Sequence, residues 1–233
     1  GTARGAVSIL VGDFRNHTGD KMFDGALEPM FNAALEGASF INAYNRGSAR
    51  RMAQKLPNPT DKLDEQPARL VALSQGINAV VTGEISRRGA KYNISAMALD
   101  AASGNVIAKS EVTVANKEEV VAAIPKLAAP IRNAMGDTTT ESAQLERAGG
   151  AFTASSLEVV HQYGTAMEQQ DSGKVEEALR SFAKTTELDP NFARAYAGMT
   201  SAALTLDQLQ DAEKYIKLGK EHVHRMTDRA RNW

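Results

Sequence analysis

The chain has 233 residues, 42% hydrophobic and 24% charged, with a formal net charge of −1. That length serves one large or two small domains, and the even charge gives no global pull toward nucleic acid or anionic lipid. Cysteine is absent, which excludes disulfides, thiolate metal sites and a cysteine nucleophile. No apolar run approaches the roughly 20 residues that span a bilayer. The chain opens on Gly1 rather than Met, so it reads as a piece of a longer protein, with any leader or anchor upstream.

Val7 to Val11 is an apolar, β-branched run that reads as a buried strand. Asp13-Phe14 follows, then a polar loop over Arg15 to Asp20. In an α/β sheet the loop after such a strand is where ligands sit. Asp13, Asn16, His17, Asp20 and Asp24 are therefore the first candidate site. Carboxylates and imidazole suit a divalent cation or a small polar ligand. The preferred reading is plainer: Asp20 or Thr18 caps a helix, Gly19 makes a turn and Asp13 bonds loop amides. A phosphate-binding P-loop is excluded, because Gly12 and Gly19 are wrongly spaced and Lys21 precedes neither Ser nor Thr.

A helix is expected from about Asp20–Asp24 to Glu36, with Leu27, Met30, Phe31, Ala34 and Leu35 as its buried stripe and Gly37 at its end. Phe40 to Tyr44 reads as a short strand. Asn45 reads as the N-cap of a helix reaching Leu56, stopped by Pro57 and Pro59. Arg46, Arg50, Arg51 and Lys55 give that helix a basic face. A solvated face is preferred there, with phosphate contact as the alternative. Pro67 suits the first turn of the next helix, where Leu70, Val71 and Leu73 are expected to pack before Gly76 terminates it.

Ile77 to Ile85 is a strong strand, and two turns, Arg87-Arg88-Gly89 and Ser103-Gly104-Asn105, then make an antiparallel meander ending near Val114. Asn116 and Glu119 have the form of a capping box. They open a helix striped with Val120, Val121, Ile124, Leu127, Ala128, Ile131 and Met135, which Pro125 and Pro130 are expected to kink or break. Residues 1–136 form the first expected domain. Residues 137–156, rich in Thr, Ser, Gly and Ala, read as a linker.

From Leu157 onward the pattern is helical and repeats. Ala178 and Ala212, and Phe182 and Ile216, are each 34 apart. Leu188-Asp189-Pro190 closes one unit, and Tyr196, Met199 and Ala212 take the large, medium and small packing positions of the next. This period, with a small residue at the helix crossing and Pro at the turn, is the tetratricopeptide signature. The wide spacing of Gly164 and Gly173 reads as a lengthened turn near Gln170–Gly173. His224 stands where the terminal Pro is expected, and Thr227 to Trp233 reads as the start of a third unit, with Trp233 as a packing residue for it. Arg194, Ala197, Ser201 and Thr205 fall on one helical stripe and are expected to line a groove for a protein or peptide, the equal alternative being that the repeats pack on the α/β domain or on their own continuation. His222 and His224 diverge on a helix, and G-x-S-x-G and the kinase signatures do not occur.

The segments ILVGDFRNHTGDKMFDGALEPMF, FINAYNRGSARRMAQKL, GINAVVTGEISRRGAKYNISAMALDAASGNVIA and ELDPNFARAYAGM resemble a two-part region of bacterial signalling proteins. In these, a domain akin to the amino-terminal domain of TolB precedes tetratricopeptide repeats. The resemblance covers nearly the whole chain and implies a mixed α/β sheet similar to anticodon-binding folds, with helices on one side, followed by all-α tetratricopeptide hairpins over 157–233. It further implies a sensing or interaction role outside the membrane (periplasmic), downstream of a serine/threonine kinase domain and a membrane anchor that lie upstream. The expectation is a non-enzymatic chain with no cofactor, no metal, no nucleic acid and no membrane insertion of its own. The alternatives are a metal-dependent enzyme using the Asp13–Asp24 loop, or nucleic-acid binding through Arg46–Lys55.

Overall fold

The computed structural model describes residues 5–148 and 156–231, with side chains described as far as residue 222. Five strands form one mixed sheet in the order β2-β1-β3-β4-β5. They are β1 (Val7–His17), β2 (Ile41–Ala43), β3 (Ala79–Arg88), β4 (Lys91–Asp100) and β5 (Val106–Val114). Strand β1 pairs in parallel with β2 and β3, and the meander β3-β4-β5 is antiparallel.

Helices cover both faces of the parallel part of the sheet, so the expectation of helices on one side is corrected. Ile9, Val11, Val81, Ile85 and Ile94 pack with α1 (Leu27–Leu35) and α4 (Val120–Ala134). Leu10 and Val80 point the other way, onto α2 (Arg46–Ala53) and α3 (Glu65–Gln75) through Ala49, Ala53, Ala68 and Val71. The cause is in the sequence: the unbroken runs Ile9-Leu10-Val11 and Ala79-Val80-Val81 have no polar face to turn to water, the mark of strands buried on both sides.

Local signals explain most boundaries. The Asn45 carboxamide accepts from Ser48 N at 2.8 Å and caps α2. Gly76 closes α3 at φ +66, a left-handed position that glycine takes without a Cβ penalty. Other expectations are corrected. The first helix does not run from Asp20: a 3₁₀ turn over Lys21–Phe23 comes first, and Gly25 at φ +68 separates it from α1. Leu70 and Leu73 are exposed, and Val71 alone of that trio is buried. Pro125 and Pro130 do not break α4, which runs as one helix from Val120 to Ala134. Its stripe, Val120 to Ile131, is buried along the sheet, and that burial offsets the backbone bonds the prolines remove. Neither reciprocal bond of the expected capping box is made. Glu119 Oε2 accepts from Ala115 N at 3.0 Å, while Asn116 makes no side-chain cap.

The stretch read as a linker contains α5 (Glu141–Ala148). Gln144 is buried there, and its Nε2 donates to Thr139 O at 2.9 Å. Residues 149–155 of that stretch lie outside the described residues.

Four helices follow: α6 (Leu157–Asp171), α7 (Val175–Leu188), α8 (Ala193–Thr205) and α9 (Leu209–Arg231). The α6–α7 and α8–α9 turns are copies of each other at a spacing of 34. Ser172 N→Glu168 O and Leu206 N→Ala202 O are both 3.0 Å, and Lys174 N→Gln169 O and Gln208 N→Ala203 O are 2.9 and 2.8 Å. Gly173 and Asp207 both take positive φ, 78 and 61. The first turn is therefore not lengthened relative to the second. Helix α7 stops before Asp189-Pro190, whereas α9 continues through His224, the position 34 after Pro190. A residue with an N–H lets the helix run on where proline ends it. Thr227 to Arg231 thus belong to α9 rather than opening a new unit, and Trp233 lies outside the described residues.

Candidate functional site

Strand β1 is longer than its apolar run, so Asp13, Asn16 and His17 lie on a strand, not in a loop. The register with β3 shifts between Val11 and Phe14. Such a bulge frees a backbone N–H, and the freed Phe14 N donates to Glu28 Oε1 of α1 at 2.8 Å. Gly83 makes room for the Phe14 ring, because a Cβ there would lie 2.4 Å from it. Burial pushes the Glu28 carboxyl above its ordinary value, against the pull of Arg46.

Asp13, beside this bulge, is fully engaged. Its Oδ1 accepts from Arg46 Nη2 at 2.5 Å and Arg50 Nη2 at 3.3 Å, and its Oδ2 accepts from Leu63 N at 2.9 Å. Burial opposes ionisation, but the Arg46 guanidinium, the Leu63 amide and Arg50 outweigh it and hold the carboxyl below its ordinary value. Asn16 instead organises the turn that follows. Its Oδ1 accepts from Thr18 N and Oγ1, and its Nδ2 donates to Asp20 O and Asp24 Oδ1, both at 2.8 Å. Asp20 Oδ1 caps Met22 N at 2.9 Å, and Oδ2 pairs with Lys117. His17 stands apart and exposed, 3.8 Å from Glu84 Oε2.

The five candidates thus split three ways. Among the described residues no group of three His, Asp or Glu side chains is placed to hold a metal ion. The cap made by Asp20 and the loop amide of Leu63 held by Asp13 follow the sequence; the turn made by Asn16 and the arginine partners of Asp13, which come from α2, do not.

Those arginines form the basic face, and the structure spends it inside the molecule. Arg46 donates to Val11 O as well as Asp13. Arg50 reaches Glu168 Oε1 of α6 at 3.2 Å, and Arg51 donates to Asp171 O at 2.9 Å. Gly47 lets α6 approach, since a Cβ there would lie 2.4 Å from Asp171 Cγ. Likewise a Cβ on Gly164 of α6 would sit 2.3 Å from Gly25 O. The missed signal was complementary charge: Glu168 and Asp171 end the helix that docks on α2. Arg51 and Lys55 remain exposed, as a solvated face requires.

The groove stripe also divides. Ala197 and Ser201 line an apolar groove of about 660 Å³ on α8 and α9, with Tyr196, Leu204, Tyr215 and Ile216. Arg194 lies instead in a cleft between α8, α6 and α1. The Thr205 hydroxyl is turned back onto Ser201 O at 3.0 Å, and Ser201 Oγ accepts from Gln170 Nε2 at 3.1 Å.

These features define a class: an α/β sheet domain with stacked helical hairpins docked on it through α6. No protein-family model and no curated protein sequence matches the chain. Among solved structures, the LpoB C-terminal domain from Salmonella enterica is 14% identical with a TM-score of 0.43, over 48% of this chain and 85% of that one. TolB from Acinetobacter baumannii is 16% identical with a TM-score of 0.40, over 57% of this chain and 29% of that one. Lipoprotein GNA1162 from Neisseria meningitidis is 14% identical with a TM-score of 0.37, over 46% of this chain and 81% of that one. No described helix is long and apolar enough to cross a membrane.

Proposed function

We propose that the chain is a non-catalytic protein-interaction region whose helical hairpins are tetratricopeptide repeats, and that the α8–α9 groove takes an amphipathic helix from a partner protein. The division into 1–136, 137–156 and 157–233 belongs to this reading. So does a periplasmic setting in a bacterial signalling protein with a kinase domain upstream, which rests on the sequence resemblance alone. The supporting observation is the internal repeat. Phe182 of α7 is fully buried beneath α8, with Gly198 against its ring. Ile216, 34 residues on, is 43% exposed beside an exposed Leu204. Among the described residues, the surface that receives a helix in the first hairpin therefore stands open in the second. Matching it takes a helix with a small residue where Gly198 sits and apolar neighbours at i+3/i+4 spacing.

Selection of binders from a library of helical peptides tests this. Enriched peptides should carry that pattern and lose at least about tenfold in affinity against Leu204→Asp or Ile216→Asp. No enrichment, or binding indifferent to both substitutions, overturns the groove. The metal-enzyme alternative finds no ligand cluster among the described residues, and the basic face offered for nucleic acid is largely occupied by Asp13, Glu168 and Asp171 O.

A further inference from the structure

A second concavity lies away from the groove, where α6 and α8 meet α1 and the start of α2. It has a volume of about 230 Å³, less than the roughly 300 Å³ at which drug-sized sites begin. Its walls come from segments distant in sequence and exist only when the two halves are docked. They also carry both signs of charge. Arg50 and Arg194 line it, and so do Glu36 and Asp171.

Two buried polar atoms on these lining residues have no hydrogen-bond partner among the described residues: Arg50 Nε, a donor, and Asn32 Oδ1, an acceptor. Arg50 directs its terminal nitrogens at Asp13 and Glu168, and its Nε–H is the donor left buried without an acceptor. Buried polar groups are nearly always satisfied, and exceptions call for an explanation. A simple anion would answer Nε and Arg194 but leave Asn32 and the carboxylates unserved. A simple amine would do the reverse. One small molecule carrying an ammonium and a carboxylate meets both sets.

We propose that this cleft binds a small zwitterion, a free amino acid or a compact ammonium carboxylate, with its carboxylate toward Arg50 Nε and Arg194 and its ammonium toward Asn32 Oδ1 and the Glu36 and Asp171 carboxylates. The carboxyls of Glu36 and Asp171 are raised by burial against the pull of arginines (Arg194 for Glu36; Arg50, Arg51 and Arg46 for Asp171), so an added cation has something to stabilise. A site closed by both halves also couples occupancy to their docking, as binding to the native state alone stabilises it.

Calorimetric titration of the chain with each common L-amino acid tests the proposal. At least one should bind with a Kd below about 1 mM, and its N-acetyl and amide forms, each keeping one charge, should bind at least about tenfold more weakly. Asn32→Ala and Arg194→Ala should each weaken binding by a similar factor, Asn32→Ala without lowering the unliganded melting midpoint. Ile216→Asp, in the groove, should leave amino-acid binding unchanged, so the two sites fail or succeed separately. Silence across all amino acids, equal binding of a single-charge form, or binding that survives both cleft substitutions overturns the proposal.

Discussion

The two helical hairpins share one turn and differ in what lies on them. Their turn hydrogen bonds recur at 34-residue spacing within 0.1 Å, yet Phe182 is buried and its counterpart Ile216 is exposed. The first hairpin is covered on one side by α8, with Tyr163, Phe182 and Phe192 in ring contact. On the other side it is held to the sheet domain through Arg50, Arg51 and Gly47. Among the described residues, the second has a neighbour on one side only. Local sequence sets the turn; burial is set by what the chain does next.

The largest expected effect separates the two positions. Phe182→Ala should cost about 3–5 kcal/mol, while Ile216→Ala should stay within about 0.5 kcal/mol, both read from urea unfolding. Equal losses would break the comparison. Next comes the anchor of the first hairpin. Asp13→Ala removes the acceptor that Arg46, Arg50 and Leu63 N share and should cost about 2–3 kcal/mol. The pH dependence follows from its sign. The folded pKa lies below the ordinary 3.8, so this contribution is present above that value and lost as pH falls through the lower folded value. Asp13→Asn should flatten acid unfolding in that window.

Glu28 has the opposite sign: its raised pKa makes a penalty that grows as pH rises above the ordinary 4.5. Glu28→Gln keeps the acceptor for Phe14 N and should therefore gain on the parent chain with rising pH, measured as a difference in melting midpoint. The next effect returns to the interface between hairpins. Gly198→Ala drives a Cβ into the Phe182 ring and should cost about 1–3 kcal/mol. Gly219→Ala meets only the Tyr196 Cβ at 3.2 Å and should cost less. Smallest are the turns themselves. Gly173→Ala at φ +78 should cost about 1–2 kcal/mol. Asp207→Gly should change stability by less than about 0.5 kcal/mol, because relief at φ +61 is offset by a freer unfolded chain.

Where a residue answers to its neighbours in sequence, it was legible. The Asn45 cap, the Gly76 stop, the β3-β4-β5 meander and the 34-residue period all belong to that kind. What depends on distant partners was not. Asp13 looked like an acceptor for loop amides; one oxygen does take Leu63 N, but the other is claimed by two arginines more than thirty residues away. Arg46 and Arg50 read as solvated because Asp13 sits on another element and Glu168 is over a hundred residues on, while Arg51, which reaches Asp171 O, keeps an exposed side chain. Helix α4 survived two prolines because burial against the sheet, invisible to local propensity, holds it together. Arg194, Ala197, Ser201 and Thr205 share a helical stripe, but α6 and α9 flank it from different sides and divide it between cleft and groove.

The docking of α6 on the sheet domain bears on how such a chain can grow. Because that helix supplies the ion pairs and close backbone contact at the junction, a further 34-residue unit added after α9, with a proline restored at position 224, would shift the open groove outward by one step. The sheet and its bulge would not register the addition. Array length and sheet-domain stability are then separate characters, open to selection independently of each other.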